Sequence, residues 1–146
     1  MDNVRLEEQG QVMQKIIEQD HCPFCPENLA KYHKLPLLKQ GKFWTLTPNQ
    51  WPYSHCRLHL LAIATQHVET LQDLDPEAGK ELIEMFQWVE HEYAVSGGGF
   101  AMRFGDTNYS AGTIKHLHAQ FIFPDITAPD YEPVRFKIGK SIQAKT

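Results

Sequence analysis

The stretch that most constrains this chain is His116-Leu117-His118-Ala119-Gln120, running directly into Phe121-Ile122-Phe123-Pro124. On a β-strand alternate side chains share a face, so His116, His118 and Gln120 are predicted on one side. Leu117, Ala119 and Phe121 then face an apolar core. Polar groups on a strand face are costly to bury without partners, and a metal, a ligand phosphate or a hydrogen-bond network would supply them. Just upstream, Asn108-Tyr109-Ser110-Ala111-Gly112-Thr113 is a small, polar turn able to bring backbone N–H groups to an anion. An anion cradle leading into a strand with two imidazoles points to phosphate chemistry with one imidazole as nucleophile. The competing reading is a strand with satisfied polar side chains, since His-x-His also arises by chance.

Composition narrows the classes. A chain of 146 residues is long enough for one domain, residues 1–146, with a substantial core. A net charge of −4 argues against general nucleic-acid affinity, which needs clustered Lys and Arg, but leaves room for a small nucleotide at a local anion site. No apolar run approaches the roughly 20 residues of a membrane span. The polar, acidic stretch from Met1 to Gln11 is unlike a secretory signal, and three cysteines are too few for a disulfide framework. Both point to a cytoplasmic protein with no membrane partner.

Taken in order, Val4 to Gln19 reads as an N-terminal helix with no chemistry assigned, Val12, Met13, Ile16 and Ile17 holding helical spacing. The loop that follows is punctuated by Pro23 and Pro26 and holds Cys22 and Cys25. Two thiolates at this spacing can face one metal, although a tetrahedral site needs two further ligands. A redox Cys-x-x-Cys normally opens a helix after a strand, and no strand precedes this one. Lys42 to Thr47 and the largely apolar Arg57 to Ala64 are predicted strands, the second central. Cys56 fits no pattern, and His55 and His59 read as solvated or satisfied histidines.

A short helix is expected from His67 to Leu74. The main helix begins at Asp75-Pro76, a cap followed by a proline at the first helical position. Leu82, Phe86, Val89 and Tyr93 form its core-facing stripe, and Gly97-Gly98-Gly99 ends it. That glycine triplet follows a helix and precedes a strand, the reverse of a phosphate loop, so it reads as a turn. Phe100 to Phe104, the His116–Pro124 stretch and Val134 to Ile138 complete the predicted strands, the last in a C-terminal extension over 125–146. The fold class is α+β: an antiparallel sheet of about five strands, one long helix and one or two short ones, with helices on one side of the sheet.

The string Ser110-Ala111-Gly112-Thr113-Ile114-Lys115-His116-Leu117-His118-Ala119-Gln120 resembles the signature of the histidine triad (HIT) superfamily of nucleotide hydrolases and transferases. Gln120 in the third position is similar to the galactose-1-phosphate uridylyltransferase and diadenosine tetraphosphate phosphorylase branches. Those enzymes are long chains, whereas this one is short. Cys22-Pro23-Phe24-Cys25 and the segment from Leu58 to Leu74 agree with the same family. The resemblance implies a HIT-like sheet, commonly paired into a homodimer. It also implies a structural zinc held by Cys22, Cys25, His67 and His116, as in the zinc-bearing branches.

For the chemistry, the resemblance implies that His118 attacks the α-phosphorus of a nucleoside polyphosphate or sugar nucleotide, forming a covalent nucleotidyl-histidine. The backbone carbonyl of His116 would orient the His118 ring, and Gln120 would donate an amide N–H to a non-bridging phosphate oxygen. Asn108, Ser110, Gly112 and Thr113 are the candidates for contacts to the phosphate, ribose or leaving group. Water, phosphate or a phosphorylated sugar could each be the acceptor. Two other classes stay open from sequence: a nucleotide-binding module with little turnover, and a zinc-stabilised interaction domain.

Overall fold

The computed structural model describes residues 22–141, so the helix expected over Val4 to Gln19 lies outside the described residues. Within them the chain forms a short helix α1 (Pro26–Tyr32) and strands β1 (Lys39–Gln40), β2 (Trp44–Pro48) and β3 (Cys56–Ala64). A 3₁₀ turn (Leu71–Asp73), the long helix α2 (Pro76–Glu92), β4 (Gly99–Met102), a helical turn α3 (Thr107–Ser110) and β5 (His118–Pro124) follow. The strands make one antiparallel sheet in the order β1-β2-β3-β5-β4. The expected α+β architecture of five strands with one long and short helices is therefore the observed one. Among the described residues no helix is long and apolar enough to cross a membrane.

The two faces of the sheet follow directly from strand alternation. On one face Trp44, Leu46, Leu60, Ala62, Ala119 and Phe121 pack under α2, which presents Ala78, Leu82, Met85, Phe86 and Val89. The other face carries Leu61 and Ile63 of β3, and there Leu29 of α1 and Phe24 cover them. Helices thus lie on both sides, and not on one as the sequence predicts. α1 was hidden because its seven residues bury only Leu29 and show no periodicity to read.

The α2 start is set by Asp75, whose side chain accepts the Glu77 N–H, with Pro76 next in line. One residue on α2 then fastens helix to sheet. The Glu81 carboxylate accepts three backbone N–H groups, from Lys42, Phe43 and Trp44, at 2.8, 2.8 and 2.9 Å. The approach needs Gly41, since a Cβ there would meet the carboxylate at 2.6 Å. The indole Nε1–H of fully buried Trp44 donates to the Ala78 carbonyl at 2.7 Å, one turn before Glu81. The glycine turn after α2 is equally tight: an added Cβ at Gly98 would fall onto the Ile122 carbonyl oxygen of β5.

Two predicted elements differ. The helix over His67 to Leu74 shrinks to the 3₁₀ turn Leu71–Asp73. Its first carbonyls are used elsewhere: Val68 O accepts from Leu117 N and Glu69 O from Gly105 N, so they cannot serve an α-helical ladder. Val134 to Ile138 is not a strand. The Lys137 carbonyl is taken by the Arg103 side chain, and Phe136 lies against the same guanidinium, so the segment is held by a side chain and not by a ladder. The fifth strand is instead Lys39–Gln40.

Replacing Glu81 by Ala strands three charge-assisted donors that the fold has placed around one carboxylate. The expected cost is about 1–3 kcal/mol, read as a lowered thermal unfolding midpoint. An unchanged midpoint would show that solvent serves those N–H groups equally well.

Candidate active site and metal centre

At the start of β5, His116 sits just before the strand and His118 opens it. His116 is 2 % exposed, and its ring is committed on both edges. Its Nε2–H donates to the Ala64 carbonyl at 2.6 Å. A neutral imidazole carries one ring proton, so Nδ1 is bare. That Nδ1 lies 3.3 Å from Cys22 Sγ, 3.8 Å from Cys25 Sγ and 3.3 Å from His67 Nδ1. His67 repeats the arrangement: its Nε2–H donates to the Glu69 carboxylate at 2.8 Å, and its bare Nδ1 lies 3.3 Å from Cys25 Sγ.

Two imidazole lone pairs facing each other at this distance repel unless a cation lies between them. The four ligand atoms all fall within 4.8 Å of one another. A tetrahedral metal with about 2.05 Å metal–nitrogen bonds would set its two nitrogens about 3.3 Å apart, which is the separation here. Each histidine also has the outer hydrogen bond that fixes a metal-binding tautomer, one to a backbone carbonyl and one to a carboxylate. Burial first, then the neighbouring Cys22, push the Cys25 thiol up to about 12. A bound cation reverses that preference and makes both sulfurs thiolates. The residues therefore fit a structural metal. The pieces come from well-separated parts of the chain: the loop before α1, the segment after β3 and the residue before β5.

The same loop reaches the second centre. Phe24, between the two cysteines, packs edge-on against His118 with ring centroids 4.9 Å apart. His118 Nδ1–H donates to the His116 carbonyl at 2.9 Å. The free lone pair is thereby on Nε2. Burial, reinforced by the nearby His116 and Arg103, pushes His118 down to about 4, so the ring is neutral near pH 7. Ile63 of β3 pairs with His118 across the sheet, and Phe24 and Ile63 also line a cavity of about 260 Å³ with Leu29, His33 and Thr45. In that cavity His33 Nε2–H donates to Thr47 Oγ1 at 2.7 Å, whose hydroxyl donates on to the Pro36 carbonyl at 2.9 Å. Burial keeps the His33 ring below its ordinary pKa.

Gln120 is buried, and its partner is a residue to which the sequence assigns no role. His59 Nδ1 accepts the Tyr53 N–H at 3.0 Å, so its proton sits on Nε2, which donates to Gln120 Oε1 at 2.8 Å. The Tyr53 ring lies 4.6 Å from the imidazole. Holding the amide oxygen this way turns the Gln120 amide nitrogen to the opposite side. The signal that locates His59 is face parity: His59 shares a strand face with Leu61 and Ile63, and the β3–β5 register sets Leu61 against Gln120.

The upstream turn is more ordered than a loop. Asp106 caps α3, the buried Ser110 Oγ accepts the Gly112 N–H at 3.1 Å, and Ala111 adopts the left-handed conformation between them. Ser110 and Gly112 border the stem of Arg103, since a Cβ on Gly112 would meet Ser110 Oγ at 3.3 Å and Arg103 Cδ at 3.7 Å. Asn108 and Thr113 are nearer the surface. The backbone carbonyl of Asn108 accepts from Lys140 N, and neither side chain bonds to His116, His118 or Gln120 among the described residues.

No family profile and no curated protein matches this chain. Solved structures do. A histidine triad nucleotide-binding protein from Candida albicans superposes with a TM-score of 0.61 at 12% identity, over 86% of this chain and 87% of that one. A zinc-bound histidine triad family protein from Mycobacterium smegmatis gives 0.58 at 18% identity, over 80% and 84%. A diadenosine triphosphate hydrolase from Plasmodium falciparum gives 0.52 at 18% identity, over 62% of each chain. These superpositions agree on one conclusion: this chain has the histidine triad fold.

Proposed function

We propose that this protein is a nucleotide hydrolase or nucleotidyltransferase acting at the α-phosphate of a nucleoside polyphosphate or sugar nucleotide. The observation that carries the reading is the His118 ring, pinned through Nδ1–H to the His116 carbonyl and neutral, with Nε2 bare. Such a ring has one nucleophilic lone pair and one orientation. Its Nε2 attacks the α-phosphorus, a P–N bond forms, and the P–O bond to the remaining phosphate breaks with its electron pair. Water or a phosphate-bearing acceptor then attacks the nucleotidyl-histidine and restores the ring. The Gln120 amide nitrogen, aimed by His59, donates to a non-bridging oxygen as charge develops there. The cavity lined by Phe24, Leu29 and Ile63, the first and last of which neighbour His118, suits an apolar ring such as a nucleobase. The hydrolase named among the similar structures acts on a dinucleoside polyphosphate, which supports this substrate class.

The metal would be zinc, on Cys22, Cys25, His67 and His116. The zinc-bound similar structure supports that identity. With all four positions filled by protein, zinc would supply stability and no reactive ligand. Purified protein is expected to contain one zinc per chain, and chelation should lower its thermal midpoint. A metal-free protein whose midpoint ignores chelator would refute the site.

His118→Ala should lower turnover by at least on the order of 10³-fold while the protein still folds and binds nucleotide. In a quenched reaction with wild type, peptide mass should place the nucleotide adduct on His118. An adduct elsewhere, or full activity in the variant, would overturn the assignment.

The pH dependence has a defined sign. A histidine depressed to about 4 stays neutral, hence nucleophilic, as pH falls from 7 to 5.5. An ordinary imidazole with pKa about 6.5 would lose roughly eightfold of its neutral form over that range. Single-turnover adduct formation should therefore be nearly flat between those pH values. A proportional fall would show that His118 titrates normally.

A further inference from the structure

We infer that Arg103 is the phosphate-binding cation of this site, and that the C-terminal segment at Phe136 and Lys137 holds its guanidinium in place for that task. The inference rests on the nucleotide reading above and adds a residue to which neither the sequence motif nor that mechanism gives a part.

Four observations converge on Arg103. First, position: the β4–β5 register pairs Met102 with Ala119, so Arg103, one residue beyond the end of β4, falls beside His118. His118 is thus flanked by Ile63 on one side and by a permanent positive charge on the other. Second, the Arg103 stem lies beside the Ser110–Gly112 turn, where a Cβ on Gly112 would crowd Ser110 Oγ at 3.3 Å and come into ordinary contact with Arg103 Cδ at 3.7 Å. The guanidinium and the candidate backbone cradle therefore belong to one wall.

Third, the guanidinium is held without being neutralised. Its Nε and Nη2 both donate to the Lys137 carbonyl, at 2.8 and 2.6 Å, and Phe136 lies against it at 3.9 Å from the ring centroid. Nη2 also lies 3.5 Å from the Tyr53 hydroxyl, and Tyr53 packs on the His59 that orients Gln120. Among the described residues no carboxylate pairs with Arg103, and Nη1 bonds to no protein group. Fourth, the cost is visible. The charge has no counter-ion among the described residues, although a carboxylate would have held the guanidinium more strongly than the Lys137 carbonyl does. A guanidinium left with an unused N–H edge next to a phosphorus nucleophile instead matches an incoming phosphate, which offers paired oxygens to a planar fork.

This placement gives the Val134-to-Ile138 segment a purpose that its sequence hides. It is a brace: the Lys137 carbonyl and the Phe136 ring fix the plane of the guanidinium, so little side-chain entropy remains to be lost when phosphate binds. Gln120 and Arg103 would then contact the phosphate from two directions, one through a neutral amide and one through a charged fork.

The test compares binding of the four ribonucleosides and their 5′-monophosphates by calorimetry, in wild type, Arg103→Gln, Arg103→Lys and Phe136→Ala. Wild type should prefer a monophosphate over its nucleoside. In Arg103→Gln that preference should fall about tenfold or more, the size expected for losing a charged hydrogen-bond donor, while nucleoside affinity stays the same. Arg103→Lys should recover part of it, keeping charge without the fork, and Phe136→Ala should lose part of it with the charge intact. If Arg103→Gln unfolds, the Lys and Phe136 variants carry the same comparison. Equal losses for nucleoside and monophosphate would reduce Arg103 to a structural part, and an unchanged preference would remove it from the site, with nucleotide binding itself standing in either case. A wild type that binds none of the eight compounds would overturn the nucleotide reading and this inference together.

Discussion

His116 is the residue on which both centres depend, because three of its atoms face three different parts of the molecule. Nε2–H closes on the Ala64 carbonyl at the end of β3, Nδ1 faces Cys22, Cys25 and His67, and the backbone carbonyl receives the His118 ring. Ala64 N and Leu117 O close a second bond beside the first, and Leu117 N reaches Val68 O. The entry to β5 is therefore locked to the exit of β3 before the strand begins. Anything that displaces His116 disturbs the Cys22–Cys25–His67–His116 cluster and the support of His118 together. The cluster can therefore set the angle of the His118 ring: the loop it holds also presses Phe24 onto that ring.

Much of this was legible along the chain, and the parts that were not share a cause. The α2 start at Asp75-Pro76 and the faces of β3 and β5 follow from capping chemistry and period-2 alternation, which are local. The cluster of Cys22, Cys25, His67 and His116 is not local. Cys25 and His67 are separated by 42 residues and Cys22 and His116 by 94. Spacing alone could offer only the cysteine pair, and the histidines came from family resemblance. His59 was passed over because a histidine on a central strand looks the same whether it is idle or in use. What decides is its partner Gln120, which lies diagonally across the ladder, opposite Leu61, and that requires the β3–β5 register.

Val134 to Ile138 failed in the opposite direction. Its alternation of apolar and basic residues satisfies the strand pattern, yet alternation does not decide what takes the backbone groups. The segment pairs with neither edge strand, β1 or β4, and its Lys137 carbonyl is captured by Arg103 instead. The side-chain fork satisfies the carbonyl that a ladder would have used. His67 to Leu74 shows the same competition: backbone carbonyls spent on β5 and on Gly105 were no longer available to build a helix.

The choice of glutamine at position 120 follows from the proton arithmetic of its neighbour. His59 already has its single ring proton assigned, since Nδ1 receives the Tyr53 N–H and Nε2 must donate. The group that takes that proton has to accept on one atom, and Gln120 does so while keeping a donor free on another. A carboxamide does both without titrating, because its oxygen and nitrogen are separate and fixed in role. An imidazole could do so only in one tautomer, and protonating it would put a donor where His59 Nε2 requires an acceptor. With Arg103 positive beside it, a further charge on that wall would also be disfavoured. The wall is thus divided between the permanent cation Arg103 and the neutral Gln120 and His118, and a cation beside it helps His118 remain a free base.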